Sequence, residues 1–167
     1  MVRDVWVSKS DDTLTPLGRK QAKAEGKKAK QMGLKFDLII CSPILRAYQT
    51  ATIIAQEVGY PVDRIEQNEL FVERWFGELE GKSSDYVRSL PRGAMDKVPG
   101  IETLAQLHER AKKAHDYLLK LPQENILVVA HSGFGRALRR VINKQPHSHE
   151  YVEHTSLPHA EIICWVE

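Results

Sequence analysis

The chain of 167 residues has only two cysteines, Cys41 and Cys164, each inside an apolar run and far from the other in sequence. That excludes a disulfide framework and a paired-thiolate metal knuckle, and makes a reducing cytoplasm the default compartment. Long hydrophobic runs are equally scarce. Leu38-Ile39-Ile40-Cys41 and Ile126 to Ala130 are typical of the longest, far short of the roughly 18 apolar residues a membrane span needs. The opening Met1-Val2-Arg3-Asp4-Val5 has no apolar segment behind it of the kind a secretory signal carries. An excess of one charge is missing too: 24 Lys and Arg against 22 Asp and Glu leave a formal net charge of +2. Nucleic-acid backbones are held by strongly one-signed surfaces, so neither nucleic acid nor a membrane is an expected partner. What is present, 42% hydrophobic and 28% charged residues, is the composition of an ordinary globular protein. A single domain over 1–167 is expected at this length, large enough to bury a core without staples.

Two runs read as strands covered on both faces, Phe36 to Cys41 and Asn125 to Ala130, because they are apolar at consecutive positions and rich in Ile or Val. Each runs into a helix-start signal. Ser42-Pro43 predicts an N-cap with proline at the first helical position for a helix over 44–57, and Ser132-Gly133 opens one to about Asn143. Thr15-Pro16 starts a helix through Met32, stopped near Gly33. The steps of three and four from Leu104 through Leu107, Ala111, Ala114 and Leu118 to Leu121 predict a helix over 102–120. Weaker strands are expected at Val62 to Ile65 and Glu161 to Val166. Strands alternating with helices give an α/β sheet with right-handed crossovers. Residues 66–100, punctuated by Gly77, Gly81, Pro91, Gly93, Pro99 and Gly100, are expected to be an irregular lid or insert.

Ligands of open α/β sheets bind outside the carboxyl ends of parallel strands. Ser42-Pro43-Ile44-Leu45-Arg46 and His131-Ser132-Gly133 both follow such strands. A helix N-terminus offers unpaired N–H groups and partial positive charge to an anion. Arg46, in the first turn of its helix, adds a fork suited to phosphate oxygens. His131 brings an imidazole to the same edge, and Ser132 stands at the next helix start. Together they predict a phosphate pocket built from two strand ends.

Several segments resemble one family. They are Leu14-Thr15-Pro16-Leu17-Gly18-Arg19-Lys20-Gln21-Ala22, Ser42-Pro43-Ile44-Leu45-Arg46-Ala47-Tyr48-Gln49-Thr50-Ala51, Glu73-Arg74-Trp75-Phe76-Gly77-Glu78-Leu79-Glu80-Gly81, Gly100-Ile101-Glu102-Thr103 and Val128-Val129-Ala130-His131-Ser132-Gly133. In that order they resemble the histidine phosphatase superfamily, the clan of phosphoglycerate mutases and related phosphatases. The resemblance implies a three-layer α/β/α fold with a mostly parallel central sheet, and a phosphohistidine mechanism without cofactor or metal. It implies that Arg46 clamps phosphate, that His131 hydrogen-bonds the transferring phosphoryl group, and that Glu73 is the acid/base that protonates the leaving oxygen. Phosphoryl transfer is mostly positioning and charge neutralisation, to which a carboxyl acid/base adds about 10²–10⁴-fold.

The family's nucleophile lies in an Arg-His-Gly motif, and here no histidine precedes His108. Val2-Arg3-Asp4 in that role, or Val5-Trp6-Val7 as the first strand with Lys9-Ser10 after it, leaves too short a spacing to Leu14. The register expected is therefore that Met1 falls a few residues past the motif, with the first central strand missing. Its slot is then filled by residues 1–8 or by a second copy in a homodimer, or the chain is less stable, since orphaned strand edges are costly. Losing a covalent nucleophile costs on the order of 10⁶ in turnover, so activity is expected to be lost or very weak. The leading expectation is a phosphatase-type protein for a small phosphomonoester, because the region between Gly81 and Gly100 is short for a mutase. The alternatives are a non-catalytic phospho-ligand-binding relative and a mutase-type phosphotransferase, and the partner in every case is a small phosphorylated metabolite or phosphate.

The remaining features read as ordinary. His147, His149, His154 and His159 are expected to be solvated rather than a metal centre. His108 and His115, off the apolar stripe of their helix, are expected at the surface. Arg19, Lys20, Lys23, Lys27, Lys28 and Lys30 make the wet face of theirs. Trp75 and Phe76 either close over a substrate or bury under the loop.

Overall fold

A computed structural model describes residues 5–8, 12–91 and 93–148. At its centre the two apolar runs pair as parallel strands, β1 (Leu38–Cys41) and β3 (Ile126–Val129), with Leu38 opposite Ile126 and Cys41 opposite Val129. A two-residue strand, β2 (Glu66–Gln67), pairs with the other edge of β1, also parallel, giving the order β2-β1-β3.

Side chains alternate across such a sheet, and both faces are used. Ile39, Cys41, Leu127 and Val129 pack with Ala47, Ala51, Ile54 and Ala55 of α2 (Leu45–Val58). Ile40 points the other way, into Leu107, Ala111 and Ala114 of α4 (Leu104–Leu119) and Phe134, Ala137 and Leu138 of α5 (Ser132–Ile142). Helices therefore cover the sheet on both sides, the three-layer α/β/α arrangement with a parallel sheet that was expected. On the first side α1 (Pro16–Gln31) lies against α2. Gly26 allows the approach, since a Cβ there would stand 2.8 Å from Glu57 Cβ and 3.2 Å from Ile54 Cα.

Local signals explain most helix starts. Thr15 accepts the N–H of Gly18 with Pro16 at the first helical position, and Thr103 and Gln106 form a reciprocal capping box on α4. Three expectations change. Val62 to Ile65 is not a strand: Val62–Arg64 is a 3₁₀ turn entered from Pro61, and β2 begins just after it. Ser42 is not the N-cap of α2: Ile44 takes that place without a side-chain bond, and the Ser42 hydroxyl accepts the N–H of Ile44 across a local turn. Residues 5–8, the described part of the expected slot-filling segment, do not join the sheet. Val5 bridges antiparallel to Ser83, while Trp6 and the Gly81–Lys82 stretch exchange backbone hydrogen bonds of 2.9 and 2.8 Å. The strand expected at Glu161 to Val166 lies outside the described residues, as do Val2-Arg3-Asp4, Lys9-Ser10, His149, His154, His159 and Cys164.

Residues 66–100 carry β2, the short helix α3 (Ser84–Ser89) and three 3₁₀ turns. They have their own apolar cluster of Phe76, Leu79 and Val87 with Ile101, against which Trp6 packs. Phe76 is thereby buried, in edge contact with Trp6 at 4.8 Å between ring centroids. The six basic side chains of α1 are exposed, as expected. His108 is the reverse: it is 7% exposed, because the chain after α5 covers that side of α4 and brings the His147 ring to 6.0 Å. Among the described residues no helix is long and apolar enough to cross a membrane.

Candidate functional site

The carboxyl ends of β1 and β3 lie side by side because the strands are parallel and in register, the Ser42 N–H donating to the carbonyl of Val129 at 2.9 Å. One residue sequence leaves each end. Ser42, fully buried, passes the chain to α2, whose second residue is Arg46. His131, half-buried and extended at φ −127°, is the N-cap of α5. The two loops touch: His131 Nε2 lies 2.8 Å from Ser42 Oγ. Ser42 thus accepts an amide N–H from Ile44 and meets the imidazole with the same hydroxyl.

The electrostatics place Arg46 in the same neighbourhood. Burial first, then the positive charges of Arg46 and Arg110, push the proton affinity of His131 down to a pKa of about 3, so the imidazole is neutral at pH 7. Burial also lowers the pKa of Arg46, opposed by the negative charges of Glu73, Asp12 and Glu80. One Arg46 Nη donates to the carbonyl of Ser8 at 2.8 Å. The other side of Ser8 is held by Glu80, whose carboxylate accepts the Ser8 amide at 3.1 and 3.2 Å as well as its hydroxyl.

Glu73 is buried, and its carboxylate sits on the first turn of α5. Oε2 accepts the N–H of Gly133 at 3.1 Å, and Oε1 accepts those of Phe134 at 2.9 Å and Arg74 at 2.8 Å. A side chain at Gly133 would collide with it, because a Cβ there falls 2.5 Å from Oε1. The anion seat expected at this helix start is therefore taken by an internal carboxylate, a favourable place for negative charge. Ser132 turns aside: its hydroxyl accepts a hydrogen bond from Arg136 at 3.0 Å.

The structure thus gathers Arg46, His131 and Glu73 at the ends of β1 and β3, with the Ser132 hydroxyl turned to Arg136 instead. It adds residues that were not among the expected site residues. Ser42 meets His131, and Arg110, Glu102, Arg74 and Asp96 build the wall behind Glu73. Arg74 donates to Asp96 at 2.5 Å and to the Glu102 carbonyl at 2.8 Å. Asp96 accepts the N–H of Leu104 at the start of α4. Such partners, separated by 22 and 28 residues, leave no periodic trace. Cys41, one residue before Ser42, is fully buried, and burial pushes its thiol pKa up to about 12. Among the described residues no group of three or more His, Cys, Asp or Glu side chains is placed to hold a metal ion.

Comparison with known proteins gives the same outline. Residues 2–164 match the model of the histidine phosphatase superfamily, branch 1. A 2,3-bisphosphoglycerate-dependent phosphoglycerate mutase of Methylobacterium sp. (strain 4-46) is 30% identical over an alignment covering 85% of this chain and 74% of its own. Among solved structures, Bacillus stearothermophilus YhfR superposes with a TM-score of 0.74 at 25% identity, covering 87% of this chain and 75% of that one. A mycobacterial glucosyl-3-phosphoglycerate phosphatase superposes with a TM-score of 0.71 at 22% identity, covering 87% and 76%.

Proposed function

Because the chain belongs to the histidine phosphatase superfamily, we propose that the ends of β1 and β3 receive the phosphoryl group of a small phosphomonoester, and that the family chemistry this site serves is hydrolysis. The observation that carries this is the convergence of a guanidinium, a neutral imidazole and a buried carboxylate on two parallel strand ends. Arg46 neutralises phosphoryl oxygens with fork-shaped N–H donors. His131, uncharged before the ligand arrives, hydrogen-bonds the transferring group, and a phosphate anion beside it raises its proton affinity. Ser132 lines the rim. Glu73, held by two amides at the start of α5 and by the adjacent amide of Arg74, stands as the acid/base for the leaving and attacking oxygens. The short stretch between Gly81 and Gly100 leaves little cover for a second phosphorylated ligand, which favours water as the acceptor over the mutase alternative.

Covalent transfer needs a nucleophile, and residues 1–167 contain no histidine before His108. The polypeptide of residues 1–167 is therefore expected to bind phosphate far better than it turns over, behaving by itself as a phospho-ligand binder. The test has two arms. Vanadate or phosphate affinity is measured for the unaltered polypeptide and for Arg46→Ala. A loss of about 10- to 100-fold is expected, the worth of one charge-assisted contact, and unchanged affinity removes Arg46 from the pocket. Hydrolysis of p-nitrophenyl phosphate is then compared between this polypeptide and one extended by a strand ending in Arg-His-Gly. Rapid turnover by the unextended form, untouched by His131→Ala, refutes the assignment.

A further inference from the structure

We propose that Arg110, on α4, is the residue that positions Glu73, a role that rests on the reading of Glu73 as the acid/base. A guanidinium has five N–H donors in a rigid plane, and here each has an acceptor. Nε and Nη2 grip Glu102 in a two-point pair at 2.8 and 2.7 Å. Nη1 donates to the carbonyls of Leu70 and Val72 at 2.9 and 2.8 Å, and Nη2 also reaches the carbonyl of Glu73 at 3.4 Å. Three of the five contacts thus fall on the backbone that delivers Glu73. The partner carboxylate continues the grip beyond it, since Glu102 Oε2 accepts the N–H of Trp75 at 3.3 Å.

The other end of Glu73 is held by the same side chain indirectly. The Arg110 guanidinium lies 5.1 Å over the ring of Phe134, whose N–H is one of the donors to the Glu73 carboxylate. One planar cation therefore fixes both the backbone that presents the carboxylate and the residue that receives it. Arg110 and Glu102 are 17% and 16% exposed, enough shielding for the pair to be rigid rather than a solvent-screened surface bridge. A lysine is a point charge with three donors and cannot span acceptors at opposite edges of the guanidinium plane. Residue shape, beyond charge, is what the site uses.

The variant is Arg110→Lys, which keeps the charge and loses the fork. In the 167-residue polypeptide its expected signature is displacement of the Gly133 and Phe134 amide proton signals. Their hydrogen exchange should quicken by about ten-fold, the factor that one lost charge-assisted hydrogen bond corresponds to. Vanadate affinity should stay within about three-fold, because Arg46 and His131 are untouched. A lower melting temperature with both amide signals in place makes Arg110 merely structural and overturns the proposal. Loss of vanadate affinity with the amides unmoved overturns it as well, making Arg110 part of the anion clamp. If the unaltered protein fails to bind vanadate at all, the phosphate pocket is refuted, while the amide signals still report on Arg110. Should Arg110→Lys not fold, the unaltered protein supplies the measurement: a guanidinium held at five donors gives four separate Nη–H resonances. A single averaged one refutes the positioning role.

Discussion

Replacing Gly133 with alanine isolates the contact between Glu73 and α5. Two effects of opposite sign compete. Alanine is better than glycine inside a helix by up to about 1 kcal/mol, and Gly133 has no left-handed backbone to forbid it. Against that, the new Cβ would lie 2.5 Å from Glu73 Oε1 and 3.2 Å from its Cδ. Forcing such a contact costs roughly 1–3 kcal/mol. Releasing it by moving the carboxylate gives up bonds from Gly133 and Phe134, each worth about 1.5–3 kcal/mol for a charged acceptor. The clash wins, for a net destabilisation of about 2 kcal/mol, or a melting temperature lower by roughly 4–8 °C in a chain of this size. In a Glu73→Ala background the obstacle is gone, and the same Gly133→Ala change becomes neutral or stabilising by up to about 1 kcal/mol. Thermal or urea unfolding of the four proteins gives the coupling, expected to be at least about 2 kcal/mol. Equal effects of Gly133→Ala in both backgrounds, or a Gly133→Ala protein as stable as its parent, would refute the placement of Glu73 on α5.

Three further expectations follow from groups the fold holds out of water. His131 is folded with its pKa at about 3 against an ordinary 6.5, so between those values the unfolded chain binds the extra proton. The stability His131 contributes is full above pH 6.5 and falls progressively towards pH 3. Urea midpoints from pH 4 to 8 should therefore show a slope that His131→Asn flattens, and an imidazole signal titrating near 6.5 would contradict it. Asp96→Ala leaves the buried Arg74 guanidinium without its 2.5 Å partner, and breaking a buried pair in this way costs about 3–5 kcal/mol. Asp96→Asn should lose less, and an Asp96→Ala protein as stable as wild type would place that cation in water. Cys41 should resist iodoacetamide at pH 8 in the native state and react once urea exposes it; native alkylation at that residue would show β1 to be open.

The layers were legible because their causes are local. Leu38–Cys41 and Ile126–Val129 are apolar at every position, as strands packed on both faces must be, and Thr15-Pro16 fixes a helix start by itself. β2 was not legible. Its two residues, Glu66 and Gln67, are polar and owe their conformation to the edge of β1, while Pro61 and Asp63 turn the more apolar Val62–Arg64 into a 3₁₀ turn. His108 was misplaced for a similar reason. The apolar stripe of α4 predicts which side faces the sheet, not that the chain around His147 folds back over the flank. Within the site, Arg46, Glu73 and His131 stood out through motif resemblance and their places after strands or in the loop. Arg110 carries no such mark, because its acceptors at Leu70, Val72 and Glu73 lie 37 to 40 residues earlier.

The mooring of Ser8 has a consequence for how the pocket registers a visitor. Its carbonyl occupies one N–H of Arg46, its amide and hydroxyl are tied to Glu80, and two residues upstream the Trp6 indole leans edge-on against Phe76. An incoming oxyanion that recruits that guanidinium must share it with a peptide oxygen or pull it away. Either way the disturbance is coupled through Ser8 to the Trp6 ring two residues upstream, so indole fluorescence is the optical signal that would report an anion in the proposed pocket.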